Sequence, residues 1–367
     1  MKIKTITCHD VYNCGASLQA YALFAYLTSL GHDVEIINYK PEYLRHYRLT
    51  GVNNPVYDKP FLREIYQIVK FPGRLKARFS QRKKEYDHFT EKFLSVTDKL
   101  YNSNEELKEN PPLADVYFAG SDQIWNSVFK NGRDPAFYLD FAPVNATKAS
   151  YAASFATASI LDEYKNNIKL WLSKLDYISV RESSGIDIIK QLGINTVTQV
   201  LDPVFLLSKN KWEDMAENEI FSEPYIFLYD FDQNEYLGRL VKAVADKNNW
   251  KIYSYLHNPL ADKCFEKYGP LTFLSLVKNA ELVMSNSFHA TAFSLIFEKD
   301  FWVINRKEKI NTRMRDLLDL FDISNRLLRN NSEDLCSSID YSEIRDKIAV
   351  EIRKSKDFIN KVLECKK

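Results

Sequence analysis

Short apolar runs alternate along this chain with longer stretches in which apolar residues recur every three or four positions. That alternation predicts strands joined by crossover helices in a parallel sheet. In the first unit Met1 to Thr7 is expected as a strand, Cys8 to Gly15 as a loop, and Ala16 to Leu30 as a helix with Leu18, Tyr21, Ala22 and Ala25 on one face. Gly31 is placed to cap that helix, and Asp33 to Asn38 follows as the second strand. Asp115–Ala119, Ala149–Ala153, Tyr177–Val180 and Thr196–Leu201 continue the series as strands.

A second series opens near Tyr225. YIFLYDF reads as a strand, a helix follows from Asn234, and KIYSYL is the next strand. A helix near Leu271 leads to the strand LVMSN, then to a helix from Phe288 and the strand FWVI. The expected architecture is therefore α/β, with two consecutive Rossmann-like domains at 1–205 and 206–340 and a break near Asp202 to Glu223. An amphipathic C-terminal helix follows over 341–367. A ligand cleft is expected at the carboxyl ends of both sheets.

Residues Phe61 to Phe93 break the rhythm. Arg63, Lys70, Arg74, Lys76, Arg78, Arg82, Lys83 and Lys84 are interleaved there with Leu62, Ile65, Ile68, Val69, Phe71, Leu75 and Phe79, and Glu64 is the sole acid before Glu85. Such a segment suits the surface of an anionic membrane, through 62–84. A solvated helical excursion packed on the first domain is the simpler reading of the segment alone; a lipid-linked substrate reverses that preference.

Composition narrows the function classes. The chain has 367 residues, with 50 Lys and Arg against 49 Asp and Glu, so no global charge draws it to nucleic acid. The five cysteines are scattered without a CxxC or Cys/His spacing, which predicts neither a disulfide framework nor a zinc site. No signal-peptide layout opens the sequence and no apolar run spans a bilayer. A soluble, cytoplasmic protein is expected, free or peripheral at the inner membrane.

Four segments carry candidate chemistry. After the first strand, Asn13 and Gly15 sit where a helix begins, and free N–H groups there suit an anion; many α/β turns of this kind hold no ligand. In FAGSDQIWN, Asp122 and Gln123 could orient a sugar hydroxyl and Trp125 could stack on a sugar face, against the alternative of a polar turn with a core Trp and Asp122 as a helix cap. Arg181 follows a strand with its fork available for a carboxylate or phosphate, unless it is spent on Glu182; Asp202 reads as structural. His289 lies in the first turn of a helix after MSNS, suited to proton transfer, with Ser285, Asn286 and Ser287 as further polar groups.

Together these segments resemble the polysaccharide pyruvyl transferase family. The matching pieces are NCGASLQAYALFAYLTSLGHDVEIINYKP (13–41), GSDQIWN (120–126), LDFAPVNATKASYAASFA (139–156), ISVRESSG (178–185), VLDPVFLL (200–207), SNSFHATAFSLIF (285–297) and NTRMRDLLDLF (311–321), all in family order. The resemblance implies a GT-B-like fold, phosphoenolpyruvate held between the lobes as donor, and no metal or other cofactor. It also implies a cyclic pyruvyl ketal on a saccharide of the bacterial cell surface, with an acceptor carried on polyprenyl diphosphate. Arg181 matches the family's strand-end Arg and His289 its catalytic His. Asp122 is expected to act beside His289, with Asn13, Gly15, Gln19, Ser121, Gln123, Trp125 and Ser287 contacting substrate. Better-known members carry Arg-Leu-His where this chain has Ser287-Phe288-His289. The missing cation must be replaced by Arg313 or Arg315, or the donor differs. Two other functions share the fold or the composition: a GT-B glycosyltransferase with a nucleotide-sugar donor, for which Glu281 or Glu298 would hold the ribose, and a non-catalytic saccharide-binding protein.

Overall fold

The computed structural model describes residues 1–45, 60–217, 221, 223–308, 311–329, 335 and 337–364, with the side chains of 60–63, 65 and 67 excepted. The expectations for the side chains of Leu62, Arg63 and Ile65, for Cys336 and Cys365, and for the last three residues of the C-terminal helix lie outside the described residues.

The first sheet is built from β1 (Lys2–Ile6), β2 (Asp33–Ile36), β3 (Val116–Ala119) and β4 (Thr147–Ser150) in the order β2-β1-β3-β4, every pair parallel. A parallel pair, β5 (Ser179–Val180) with β6 (Thr198–Gln199), continues it through the bridges Ala149–Tyr177 and Ala153–Val180. The second sheet runs β11-β10-β7-β8-β9, again wholly parallel, from β7 (Tyr225–Tyr229), β8 (Lys251–Ser254), β9 (Lys263–Cys264), β10 (Leu282–Ser285) and β11 (Phe301–Val303). Strands β3, β7 and β10 are buried along their whole length, which is why they read as continuous apolar runs; β4 is equally buried, yet reads Thr-Lys-Ala-Ser.

Helix α1 (Cys14–Ser29) starts on Asn13, whose side chain accepts from the Ala16 N–H, and ends at Gly31 with φ +84°. One apolar face is expected from its spacing, yet every residue from Cys14 to Leu23 is buried. The reason is its place in the fold: Leu18 and Tyr21 pack into the core of the second lobe, while Leu23 and Leu27 pack under the first sheet.

Helices α2 (Pro60–Arg78) and α3 (Gln81–Phe93) form the basic excursion, and α4 (Asn104–Glu109) leads into β3. Helices α5 (Lys165–Leu172) and α6 (Ser183–Gln191) flank β5, and α7 (Lys209–Met215) occupies the expected break. In the second lobe α8 (Glu235–Asn248), α9 (Pro270–Asn279), α10 (Phe288–Phe297) and α11 (Thr312–Leu320) cover the sheet.

The last helix, α12 (Tyr341–Glu364), belongs to both lobes. Tyr341 at its start donates to the carbonyls of Ser294 and Lys299 in the second lobe, whereas Phe358, Ile359 and Val362 near its end are part of the first lobe's core. Between them the Ser355 hydroxyl accepts from the Leu201 N–H, just before the expected break. Its amphipathic stripe is thus divided between two partners.

Candidate functional site

A cavity of about 390 Å³ lies between the lobes. Five parallel strands aim their carboxyl ends at it: Cys8 and Val11 follow β1, Asp122 and Gln123 follow β3, Phe231 follows β7, Asn286 to His289 follow β10, and Arg306 follows β11. This is where an open α/β sheet leaves backbone groups and side chains free to meet a ligand. The starts of α1 and α10 also face each other there. A Cβ placed on Gly15 would stand 2.1 Å from His289 Nδ1, so glycine is what lets the imidazole lie against the first turn of α1.

A charge network holds the floor of the cavity. The buried guanidinium of Arg181 donates through Nη1 to Asp202 Oδ2 and through Nη2 to Asp122 Oδ1 at 3.3 Å. Arg313 Nη1 meets the same Asp122 oxygen at 3.4 Å, and His289 Nε2 stands 3.6 Å from Asp202 Oδ2, at ion-pairing distance but beyond a direct hydrogen bond. Phe288 lies beneath both guanidinium groups, 4.6 Å from Arg181 and 5.6 Å from Arg313.

These contacts set the charge states. Burial works to raise the pKa of Asp122, but Arg181 and Arg313 outweigh it and hold the carboxyl below its usual range. Burial likewise opposes ionisation of Asp202, yet Arg181 and His289 bring it down to about 2. Arg313 is lowered to about 10, first by burial and then by repulsion from Arg181. Glu182 moves the other way, raised by burial, with Oε1 accepting from Ser154 Oγ and the Ala156 N–H, both at 2.9 Å.

The structure brings Asn13, Asp122, Gln123, Ser287, His289 and Arg313 to the cavity wall. Ser287 also caps α10 by accepting from the Ala290 N–H. Asp122 caps no helix; its backbone lies in the left-handed region, φ 69°, in a turn where Asp is tolerated.

Other expected residues stand elsewhere. Gln19 and Ser121 are buried against one another: the Ser121 N–H donates to Gln19 Oε1 at 3.0 Å, and Gln19 Nε2 donates to Thr7 and Ala16. They tie β1, α1 and β3 together behind the cavity. Trp125 cannot serve as a sugar platform, because it is fully buried, stacked 5.4 Å from Tyr138, with its indole N–H donating to the Phe137 carbonyl. Arg181 is corrected as well. Its fork is spent on Asp122 and Asp202 rather than open to a donor anion. Of the two candidates for the missing cation, Arg313 is at the cavity, while Arg315 is exposed on the far side of α11 and donates to Asn305 Oδ1 at 3.1 Å.

Arg306 was not foreseen. It lines the cavity, stacks 4.7 Å over Phe231, and is held by Glu308 at 2.9 Å and Asp232 at 3.8 Å. Its position just past β11 was the available signal, since the same strand-end logic had selected Arg181. Glu298, weighed for a ribose, is the C-cap of α10, a helix length (roughly 15 Å) from its N-terminus, and is bound by Arg345 and Lys209.

The comparisons agree with this geometry. A solved structure from Listeria monocytogenes described as a UDP-N-acetylglucosamine 2-epimerase superposes at TM-score 0.50 with 10% identity, covering 100% of this chain and 91% of that one. The UDP-GlcNAc 2-epimerase of Methanocaldococcus jannaschii does so at TM-score 0.50 and 14% identity, covering 96% of this chain and 92% of that one. At such identities the likeness establishes the GT-B-like fold alone. No curated protein matches the sequence. The family profile described as polysaccharide pyruvyl transferase matches residues 13–308 and so takes in both lobes and the segments at the cavity after β3, β7, β10 and β11. By that match the chain belongs to the polysaccharide pyruvyl transferase family and is a transferase.

Proposed function

We propose that the donor is phosphoenolpyruvate and that the acceptor is a sugar diol of a cell-surface polysaccharide precursor carried on polyprenyl diphosphate. The observation that carries this reading is the convergence of His289, Asp122, Arg313 and Arg306 on one cavity at the start of α10. A donor with a carboxylate and a phosphate needs cations and free N–H groups at both ends, and this wall supplies them.

In the proposed sequence His289 gives a proton to the methylene carbon of phosphoenolpyruvate, leaving the central carbon cationic. A sugar hydroxyl attacks that carbon, the C–O bond to phosphate breaks, and a second hydroxyl attacks to close the ketal. Of the two hydroxyl protons released, one replaces the proton given to the methyl group and the other leaves with phosphate. Asp122, held as a carboxylate, orients the diol with Gln123 and takes up a hydroxyl proton. Asp202 steadies the imidazolium. Arg313 and Arg306 hold the donor's anionic ends, and all of these groups belong to the chain itself.

The test is phosphate release from phosphoenolpyruvate with lipid-linked or synthetic galactosides, glucosides and mannosides, with mass spectrometry of the product. Acceptor-dependent release and a product heavier by one pyruvyl ketal are expected, and both are lost in His289→Ala. No release with any acceptor, together with thermal stabilisation by a nucleotide sugar but not by phosphoenolpyruvate, would establish a glycosyltransferase instead. A folded His289→Ala protein with near-normal turnover would remove His289 from the mechanism.

A further inference from the structure

Helix α2 is mounted with its apolar side outward. Ile68, Val69, Phe71 and Leu75, with Phe79 just past the helix end, are 73%, 69%, 44%, 38% and 68% exposed. Ile68, Phe71, Leu75 and Phe79 follow one another at spacings of three and four, so they form a single stripe, and exposed Pro72 lies within it. The partly buried positions are instead Tyr66, Arg74, Ala77 and Ser80, with Lys70 and Arg74 over the Tyr66 ring. A helix packed on its own domain turns its apolar stripe inward. This one does the reverse.

Its charge is one-sided. From residue 65 to residue 84 the chain carries seven Lys and Arg and no Asp or Glu. Lys70, Lys76, Arg78 and Lys84 are exposed, and on the helical wheel Lys76 and Arg78 flank the apolar stripe on opposite edges. Long cationic side chains beside an apolar stripe reach up to headgroups while the stripe enters the acyl boundary. The segment is also joined to the cavity. Arg82, in the first turn of α3, donates to the carbonyl of Tyr12 in the loop after β1 and to that of Glu266 in the second lobe, both at 2.8 Å. Tyr12 in turn donates to Asp87 of α3 at 2.9 Å.

We infer that residues 68–84 dock the protein on an anionic lipid surface, with the stripe Ile68–Phe71–Leu75–Phe79 at the acyl boundary and Lys76, Arg78 and Lys84 on the headgroups. The uncompensated positive charge around the stripe selects anionic lipid as the occupant over a neutral apolar partner. Docking through this segment sets the loop that carries Val11 and Asn13, and with it the cavity rim, next to the lipid surface.

The experiment is sedimentation of the full chain with vesicles of phosphatidylcholine alone or containing phosphatidylglycerol, at low and high salt. It needs no turnover, so its outcome is separate from that of the donor and acceptor assignments. Wild-type protein is expected to pellet with the phosphatidylglycerol vesicles at low salt and to be released by salt. Lys76→Gln/Arg78→Gln/Lys84→Gln is expected to lose on the order of 100-fold in partition. Ile68→Ser/Phe79→Ser, which alters exposed residues only, is expected to lose at least about tenfold with an unchanged melting temperature. Wild-type protein that stays in the supernatant at low salt overturns the proposal, as do variants that bind like wild type. A wild-type dimer that becomes monomeric in Ile68→Ser/Phe79→Ser also overturns it, since the stripe would then be covered by a second copy.

Discussion

Gly15 and His289, 274 positions apart in the sequence, are in direct contact: the imidazole occupies the space where any other residue at position 15 would place its Cβ, 2.1 Å from Nδ1 and 2.4 Å from Cγ. The two halves of the site are thus matched at one point, the start of α1 against the start of α10.

Gly15→Ala is therefore expected to cost activity while favouring the helix it sits in. Alanine exceeds glycine in helix propensity by about 1 kcal/mol, but its methyl group would drive His289 off its position. We expect turnover to fall by at least about 100-fold, as misplaced reacting groups commonly do. Kinetics of Gly15→Ala, His289→Ala and the double variant form the check. Once His289 is gone, adding Gly15→Ala should cost nothing further; equal losses in both backgrounds would show that the glycine acts elsewhere.

Arg181 is expected to be a residue of stability first. Arg181→Met leaves Asp122 and Asp202 facing one another without the guanidinium that now lies between them, a change on the order of 3–5 kcal/mol. Thermal or urea unfolding should show it. If Arg181→Lys instead unfolded like wild type while raising the KM for the donor, the guanidinium would have to be reassigned to the substrate.

The same network fixes a pH dependence. Asp202 is depressed from an ordinary 3.8 to about 2 in the folded protein, so the stability it contributes is complete above pH 4 and is lost as pH falls toward 2. That loss amounts to about 2 kcal/mol. Asp122 is shifted in the same direction and adds to it. Glu182, raised by burial, works the other way: its unfolded carboxyl titrates near an ordinary 4.5, so acidification through that value favours the folded state and offsets the upper part of the slope. Unfolding free energies between pH 5 and pH 2 should fall in wild type and flatten in Asp202→Asn; parallel profiles would mean that the pair is not ionised as described.

Much of this was legible from residue spacing. The central strands β3, β7 and β10 reproduce the apolar runs because a parallel strand covered on both faces has no polar side to confuse the pattern; β4, with the sequence Thr-Lys-Ala-Ser, starts two residues before the expected run at Ala149. Asp122 and His289, selected because they follow strands, both stand on the cavity wall, where the carboxyl ends of the sheets point. What spacing could not show was the partner of each charge. Arg181 lies 21 residues from Asp202 and 59 from Asp122, and only the fold brings them together. Trp125 misled because a polar loop next to a strand looks the same whether its aromatic points to solvent or into the core. For α2 the spacing left two readings, a membrane-facing stripe and an excursion packed on the first domain, since a hydrophobic periodicity carries no sign for inside or outside.

Trp125→Phe offers a test of that correction. The phenyl ring keeps most of the stacking on Tyr138 but loses the indole donor to the Phe137 carbonyl, leaving a buried acceptor without its partner. A destabilisation of about 1–3 kcal/mol follows, with acceptor KM unchanged. An acceptor KM raised severalfold at unchanged stability would return Trp125 to the sugar site.

Two arginines in the second lobe are expected to behave oppositely, and the contrast tests which cation stands in for the family arginine absent at Ser287. Arg306 and Arg315 lie close in sequence and carry the same charge. Arg306, however, lines the cavity over Phe231, whereas Arg315 is exposed and turned toward Asn305. Charge-assisted hydrogen bonds to a bound anion contribute about 1.5–3 kcal/mol each. Arg306→Gln should therefore raise the KM for the proposed donor, phosphoenolpyruvate, by roughly tenfold to 100-fold, and Arg315→Gln should leave it within about twofold. Because Arg306 is also held by Glu308 and Asp232, part of its removal could act through those carboxylates. The double variant Arg306→Gln/Glu308→Gln separates the two causes: it recovers donor affinity if the freed carboxylate was repelling the anion, and recovers none if Arg306 contacts the donor directly. A large effect from Arg315 with none from Arg306 would place the donor outside this cavity.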